Sequence, residues 1–248
     1  MYGKIVIYLE ENMLGKFFEC EADKNKKYYR VIQTIREYKD GKKFPIDEVV
    51  IADKEIDLKA TDSTKMGGFC VSTYNYAFRW LIRGDTLCEV KIPEDSKFYK
   101  TVSENDVYVC NKMILSNPQK IDDDFAMELY KASTLNETSY FIAMTACAIC
   151  GYINTALKVC EDRVNTQNVS IAISEFEGFC KRREEENYAK NLLEKENVKI
   201  LYCKLQEIKN NKKLTWNYNV LWCVEVFKSK PRQITGYTES IIFIQKSN

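Results

Sequence analysis

The sequence predicts an α+β fold, with a mixed or antiparallel sheet over residues 1–121, a helical segment over 122–196 and a C-terminal β meander over 197–248. Three observations carry this expectation. Apolar residues alternate with period two through most of the first half, as half-buried strands require. After Ile121 they recur every three or four residues, the spacing of one helix face. From Val198 the pattern reads as period two again. Strands followed by helices point to segregated layers rather than alternating βαβ units.

A chain of 248 residues, 45% of them hydrophobic, can bury a substantial core, and four prolines with nine glycines leave little composition for disorder. Lys plus Arg number 37 against 36 Asp plus Glu, so no global field draws the chain to nucleic acid or an anionic membrane. Ile5–Leu9 is an apolar run too short for a signal-peptide core and is expected to be a strand. The longest apolar run, Tyr140–Cys150, falls short of the roughly 20 residues that span a bilayer. A cytoplasmic protein without membrane association is therefore expected.

Ten cysteines are scattered through apolar patterns rather than spaced as a disulfide framework, and reduced, buried thiols are expected. Cys147 and Cys150 form a C-x-x-C, but TACAICGY is apolar on nearly every side and no second pair has metal-ligand spacing. The chain has no histidine. Ser-His-Asp hydrolysis, histidine proton relays and histidine-ligated metals are thereby excluded, leaving carboxylate, lysine, tyrosine, arginine or cysteine chemistry.

In chain order, Ile5–Leu9 and Tyr28–Ile35 read as strands, the second with Tyr29, Val31 and Gln33 on one face and Tyr28, Arg30 and Ile32 on the other. Glu10–Lys27 is charged and reads as loop, and Asp40-Gly41 marks a turn. DEVVIAD and KEIDL read as short extended pieces. The stretch Met66–Lys100 then packs the most structure into the fewest residues. Gly67-Gly68 permits positive φ, Phe69–Thr73 alternates as a strand with Ser72 on the opposite face, and Tyr76, Ala77, Trp80 and Leu81 recur at helical spacing. Arg83-Gly84-Asp85 breaks that helix before a strand over Thr86–Ile92, which Pro93 ends. Asp106–Leu115 alternates as a further strand, and Asn117-Pro118 closes the sheet-rich part.

The aspartates 122–124 are expected to supply an N-cap and first-turn charges that favour the positive helix end. Thr134-x-x-Glu137 reads as a capping box before the buried helix that ends near Gly151. Ile153, Ala156, Leu157, Cys160 and Val164 mark the next helix, and Ile173, Phe176 and Cys180 a third. Its KRREEE run reads as a solvated face with internal ion pairs. VKILYCKLQEI, LTWNYNVLWCVEVF and TESIIFIQ are read as the meander's strands.

The layout GFCVST, short helix, TLCEVKIPEDSKFY and SENDVYVCNKMILS resembles the core of arginine-serine-glutamate type ADP-ribosyltransferases. That resemblance implies an NAD site in which Arg30 clamps the pyrophosphate, Ser72 and Thr73 brace the nicotinamide pocket, and Glu104 with Asp106 supplies the carboxylate that stabilises oxocarbenium character. It departs from the family at Tyr74, where the third member of Ser-Thr-Ser belongs, and at Asp106, one methylene shorter than the catalytic glutamate. Gly67-Gly68-Phe69, Glu89–Asp95 and Lys112–Leu115 also resemble an uncharacterised module of phage, bacterial and giant-virus proteins. The abundance of Lys, Asn, Ile and Tyr fits an AT-rich bacterial or phage gene. The module resemblance is compatible with a non-catalytic protein-binding or inhibitory role, directed at a host defence protein and needing no cofactor. Tyr74, Tyr76, Arg79 and Arg83, where exposed, are its candidate binding residues.

Overall fold

The computed structural model describes residues 17–33, 44–59, 67–101, 106–186 and 189–210. The chain divides into two compact units, Met1–Lys212 and Lys213–Asn248, and every described residue belongs to the first. The expected strand Ile5–Leu9, the Asp40-Gly41 turn and the last two strands of the meander lie outside the described residues.

The architecture is α+β. Eight antiparallel strands, β1 (Phe17–Glu19), β2 (Tyr28–Ile32), β3 (Val49–Ile51), β4 (Phe69–Ser72), β5 (Thr86–Lys91), β6 (Phe98–Thr101), β7 (Val107–Cys110) and β8 (Lys112–Lys120), form one sheet in the order β1-β6-β7-β4-β2-β5-β8-β3. β1 corrects the loop expected there: Phe17–Glu19 pairs with Thr101–Tyr99 on β6. The single strand expected over 106–115 is two, because the chain turns a corner at Asn111 and leaves β4's neighbour β7 to become β5's neighbour β8. β8 also runs past Asn117-Pro118, with Asn117 at φ 49 beside a register shift between Leu87 and Glu89 that marks a bulge.

Each sheet face has its own core. Val31 and Leu87 point to the helices and meet Phe78, Leu81 and the buried faces of α2 (Asp123–Ala132), α3 (Glu137–Cys150), α4 (Ile153–Arg163), α5 (Val169–Glu185) and α6 (Glu196–Lys209). Tyr28, Ile32, Phe69, Val71, Cys88, Val90, Phe98, Tyr108, Met113 and Leu115 line the other face, where Tyr28 sits edge-on to Phe98 and Tyr108. The alternation expected for β2 is thus the observed one.

The helical layer is closed by its caps. Asp122 is the N-cap of α2 and accepts from the Phe125 amide at 2.9 Å. Asp123 reaches instead to the start of α4, accepting from the amides of Asn154 and Thr155 and from the Thr155 hydroxyl. The capping residue of α3 is Asn136, not Thr134; its side chain accepts from the Ser139 amide at 2.8 Å. Gly151, at φ 98, ends α3 in the left-handed conformation. The KRREEE run pairs within itself, Arg183 with Glu186 and Lys181 with Glu185.

The largest correction is α6. VKILYCKLQEI is a helix, not the meander's first strand, because Val198, Leu201 and Leu205 share a helical stripe that is fully buried. Ile200 and Tyr202, which a strand would place beside Val198, are only half-buried.

Candidate functional site

The turn at Gly67-Gly68 is dictated by backbone crowding. Gly67 has φ 70, and a Cβ there would lie 2.2 Å from the carbonyl oxygen of Glu55. The turn launches β4, whose end at Ser72 meets Thr73, the N-cap of the short helix α1 (Tyr74–Ala77). A 3-10 turn, Phe78–Arg83, continues it. Phe78, Leu81 and Ile82 are buried toward the helical layer, and Tyr74, Arg79, Trp80 and Arg83 are half-buried, with Tyr74 and Trp80 packed against the margin of that core. Gly84 ends the turn against β2: a Cβ there would lie 1.9 Å from the Ile32 carbonyl oxygen, to which the Asp85 amide donates at 3.0 Å.

This local geometry stacks the half-buried side chains. With three residues per turn, positions i and i+3 of a 3-10 helix eclipse each other, so Arg83 lies directly over Trp80. Its guanidinium carbon is 3.8 Å from the indole centroid, and that of Arg79 is 5.4 Å away. Tyr76 supports the indole from below with ring centroids 6.4 Å apart, and it is only 5% exposed. Tyr76 is therefore a prop rather than an exposed anchor. Tyr74 packs edge-on against Tyr29 at 5.3 Å, and burial, helped by Glu128, pushes its phenol pKa up. Trp80, which its periodicity assigns to the core, does pack against the margin of that core, and it also carries the arginine stack; the signal for the stack is arginine at −1 and +3 around a tryptophan.

The segment also holds polar atoms that the fold does not satisfy. Among the described residues, Ser72 Oγ, Thr73 Oγ1 and Trp80 Nε1 are buried without a hydrogen-bond partner. Native interiors pair almost all such atoms with protein or with ordered water, so a group of them in one short segment marks it out.

The residues that the transferase resemblance gathers are separated. Tyr29 stands opposite Ser72 in the β2–β4 pairing, so these two share a face. Arg30, one residue on, points to the other face, where its guanidinium lies over the rings of Phe44 and Phe69 and donates to the Cys70 carbonyl at 2.6 Å. The Arg30 and Ser72 side chains thus lie on opposite sides of the sheet, not in one cleft. Arg30 acts as a strut, filling the space beside the single β2–β4 bridge with a hydrogen bond to β4's backbone. Asp106, at φ 67, accepts from Lys26 Nζ at 2.7 Å, and the same ammonium reaches the Tyr108 hydroxyl at 2.7 Å. These hydrogen bonds outweigh the desolvation that is the largest single influence on Lys26 and raise its pKa. Glu104 lies outside the described residues.

The buried thiols are chemically quiet. None of the nine described cysteines is in a disulfide, and burial pushes Cys88 up to about 11 and Cys110, Cys160 and Cys180 up to about 12. Protonated at neutral pH, they are poor nucleophiles and poor metal ligands. Among the described residues no cluster of Cys, Asp or Glu could hold a metal ion, and no helix is long and apolar enough to cross a membrane. Against this geometry, comparison with family models, with curated proteins and with solved structures found no match.

Proposed function

We propose that the chain is a non-catalytic protein-binding module whose contact surface lies on residues 74–83, and that it acts on a host protein as an inhibitor of phage or mobile-element origin. One observation carries the reading: a half-buried tryptophan stacked under Arg83, flanked by Arg79 and a tyrosine pair, is held in place by a buried prop and a glycine-locked turn. Tryptophan, tyrosine and arginine are the side chains that dominate binding energy at protein interfaces, and pre-stacking them lowers the ordering cost of association. The NAD-dependent alternative needs Arg30 and Ser72 in one cleft, and the register of β2 on β4 weighs against it.

The test is capture from an extract of the organism that carries the gene, with and without NAD. A specific protein retained equally in both, and lost with Tyr74→Ala or Trp80→Phe, is the expected result. Nicotinamide release from NAD, or capture that requires NAD, would overturn the reading in favour of an enzyme.

A further inference from the structure

The chemistry of the same segment narrows what the partner presents. Arg83 carries five N–H donors and no acceptor, and its face is already taken by the Trp80 ring at 3.8 Å. Among the described residues no carboxylate pairs with it, although carboxylates meet many of the chain's other cations, including Lys24, Lys26, Lys27, Lys112, Lys158 and Arg183. The stack holds the half-buried guanidinium by its face, and its edge, the side that grips an oxyanion with two parallel hydrogen bonds, has no carboxylate partner among the described residues. Trp80 Nε1 is buried, so the donors this stack offers a partner are those of Arg83. The guanidinium is a donor-only group, and what satisfies it is an acceptor-only group.

Carboxylate and phosphate both meet that description, and the surroundings choose between them. Nucleic acid is held by many cations tracking a phosphate backbone, and binding needs a basic stripe. This chain has a net charge of +1, and an acidic side chain, Glu128, lies close enough to Tyr74 to raise its pKa. A single preorganised fork in a mixed-charge setting suits one carboxylate of a folded or extended protein. Resting on the protein-binding reading above, we infer that an acidic side chain of the partner seats at the Trp80–Arg83 stack, its carboxylate gripped by the N–H donors of Arg83.

The experiment titrates the full chain carrying Trp216→Phe and Trp222→Phe, which leaves Trp80 as its sole fluorophore of that type. The probes are an octaglutamate peptide, inorganic phosphate and a thymidine homo-oligonucleotide. Octaglutamate is expected to shift Trp80 emission saturably. Arg83→Gln should weaken that binding by about ten-fold or more, and Arg83→Lys, which keeps the charge and loses the planar fork, by a smaller but measurable factor. Urea melts of both variants separate a lost site from a lost fold. The inference falls if Arg83→Gln binds octaglutamate as tightly as the parent, or if the oligonucleotide binds more tightly than the peptide with a steep salt dependence. Should octaglutamate fail while Tyr74→Ala still abolishes capture of the cellular partner, the carboxylate inference alone is lost. If capture is also insensitive to Tyr74 and Trp80, the protein-binding reading falls with it.

Discussion

The segment joining β4 to β5 and the helical layer meet their buried polar groups to different degrees. Among the helices, side chains cross from one element to cap another: Asp123 of α2 satisfies the first turn of α4, and Asn168, at the start of α5, bonds Glu137 of α3. In the segment that joins β4 to β5, Ser72 Oγ, Thr73 Oγ1 and Trp80 Nε1 are among the buried polar atoms without a hydrogen-bond partner, whereas among the described residues of α2 to α6 Arg183 Nε is the one such atom, and Thr73 sits at an N-cap position without making the capping bond. An unmet donor or acceptor costs about 1–3 kcal/mol once buried. The helices thus meet most of their buried polar groups across elements, whereas residues 72–80 concentrate groups that no protein atom meets.

Glycine substitution breaks this contrast most sharply. Gly84 and Gly151 both end helical turns, but a Cβ at Gly84 would meet the Ile32 carbonyl at 1.9 Å, while the nearest atom at Gly151 is 4.0 Å away. Gly84→Ala must push β2 and the Trp80 turn apart, and it should cost about 3 kcal/mol or more in urea unfolding. Gly151→Ala meets only the left-handed backbone penalty of about 1 kcal/mol. Equal losses would mean that the turn and β2 are not in rigid contact.

A smaller effect tests the helical layer. Leu201 is fully buried on the stripe that defines α6, and Leu201→Ala should destabilise by about 2–4 kcal/mol through lost transfer energy and the cavity left behind. Ile200→Ala, at a half-buried position, should cost less than about 1.5 kcal/mol. A strand over these residues would reverse the order, since Ile200 would then share the buried face with Val198.

α6 shows why part of the fold was legible and part was not. VKILYCKLQEI satisfies period two through Val198, Ile200 and Tyr202, and period 3.6 through Val198, Leu201 and Leu205; only the apolar surface already offered by α3, α4 and α5 decides. Gly67, Gly84 and Pro93 punctuate the central stretch unambiguously, so its strand–helix–strand order was readable. β1 and β6 are short, with Phe17–Glu19 carrying no alternation, and nothing local announces their pairing. The faces of β2 were also readable, but the relation of Arg30 to Ser72 was not. Two neighbouring strands share or separate their side chains according to a register that a one-residue slip inverts, and pairing Tyr29 rather than Arg30 with Ser72 is set by tertiary contacts. The Trp80 stack depends likewise on a 3-10 turn replacing the α-helix that the spacing suggests.

The smallest predicted effect is the most diagnostic for the comparison between regions. Ser72 is 1% exposed, and its hydroxyl has no partner among the described residues. Removing an unsatisfied hydroxyl leaves the surrounding contacts nearly unchanged and relieves its desolvation cost, so Ser72→Ala should be neutral or stabilise by up to about 1 kcal/mol. Thr155 is the control in the helical layer: it too is buried, but its hydroxyl bonds the Asp123 carboxylate at 2.7 Å and the Asp123 carbonyl at 2.9 Å. Thr155→Ala removes a satisfied, charge-assisted bond and should cost about 1–2 kcal/mol. Opposite signs for two buried hydroxyl deletions would locate the unmet polar cost in the strand–turn segment. A loss of more than about 1 kcal/mol at Ser72 would show that its hydroxyl is satisfied in solution, and the contrast between the two regions would then rest on the Trp80 stack alone.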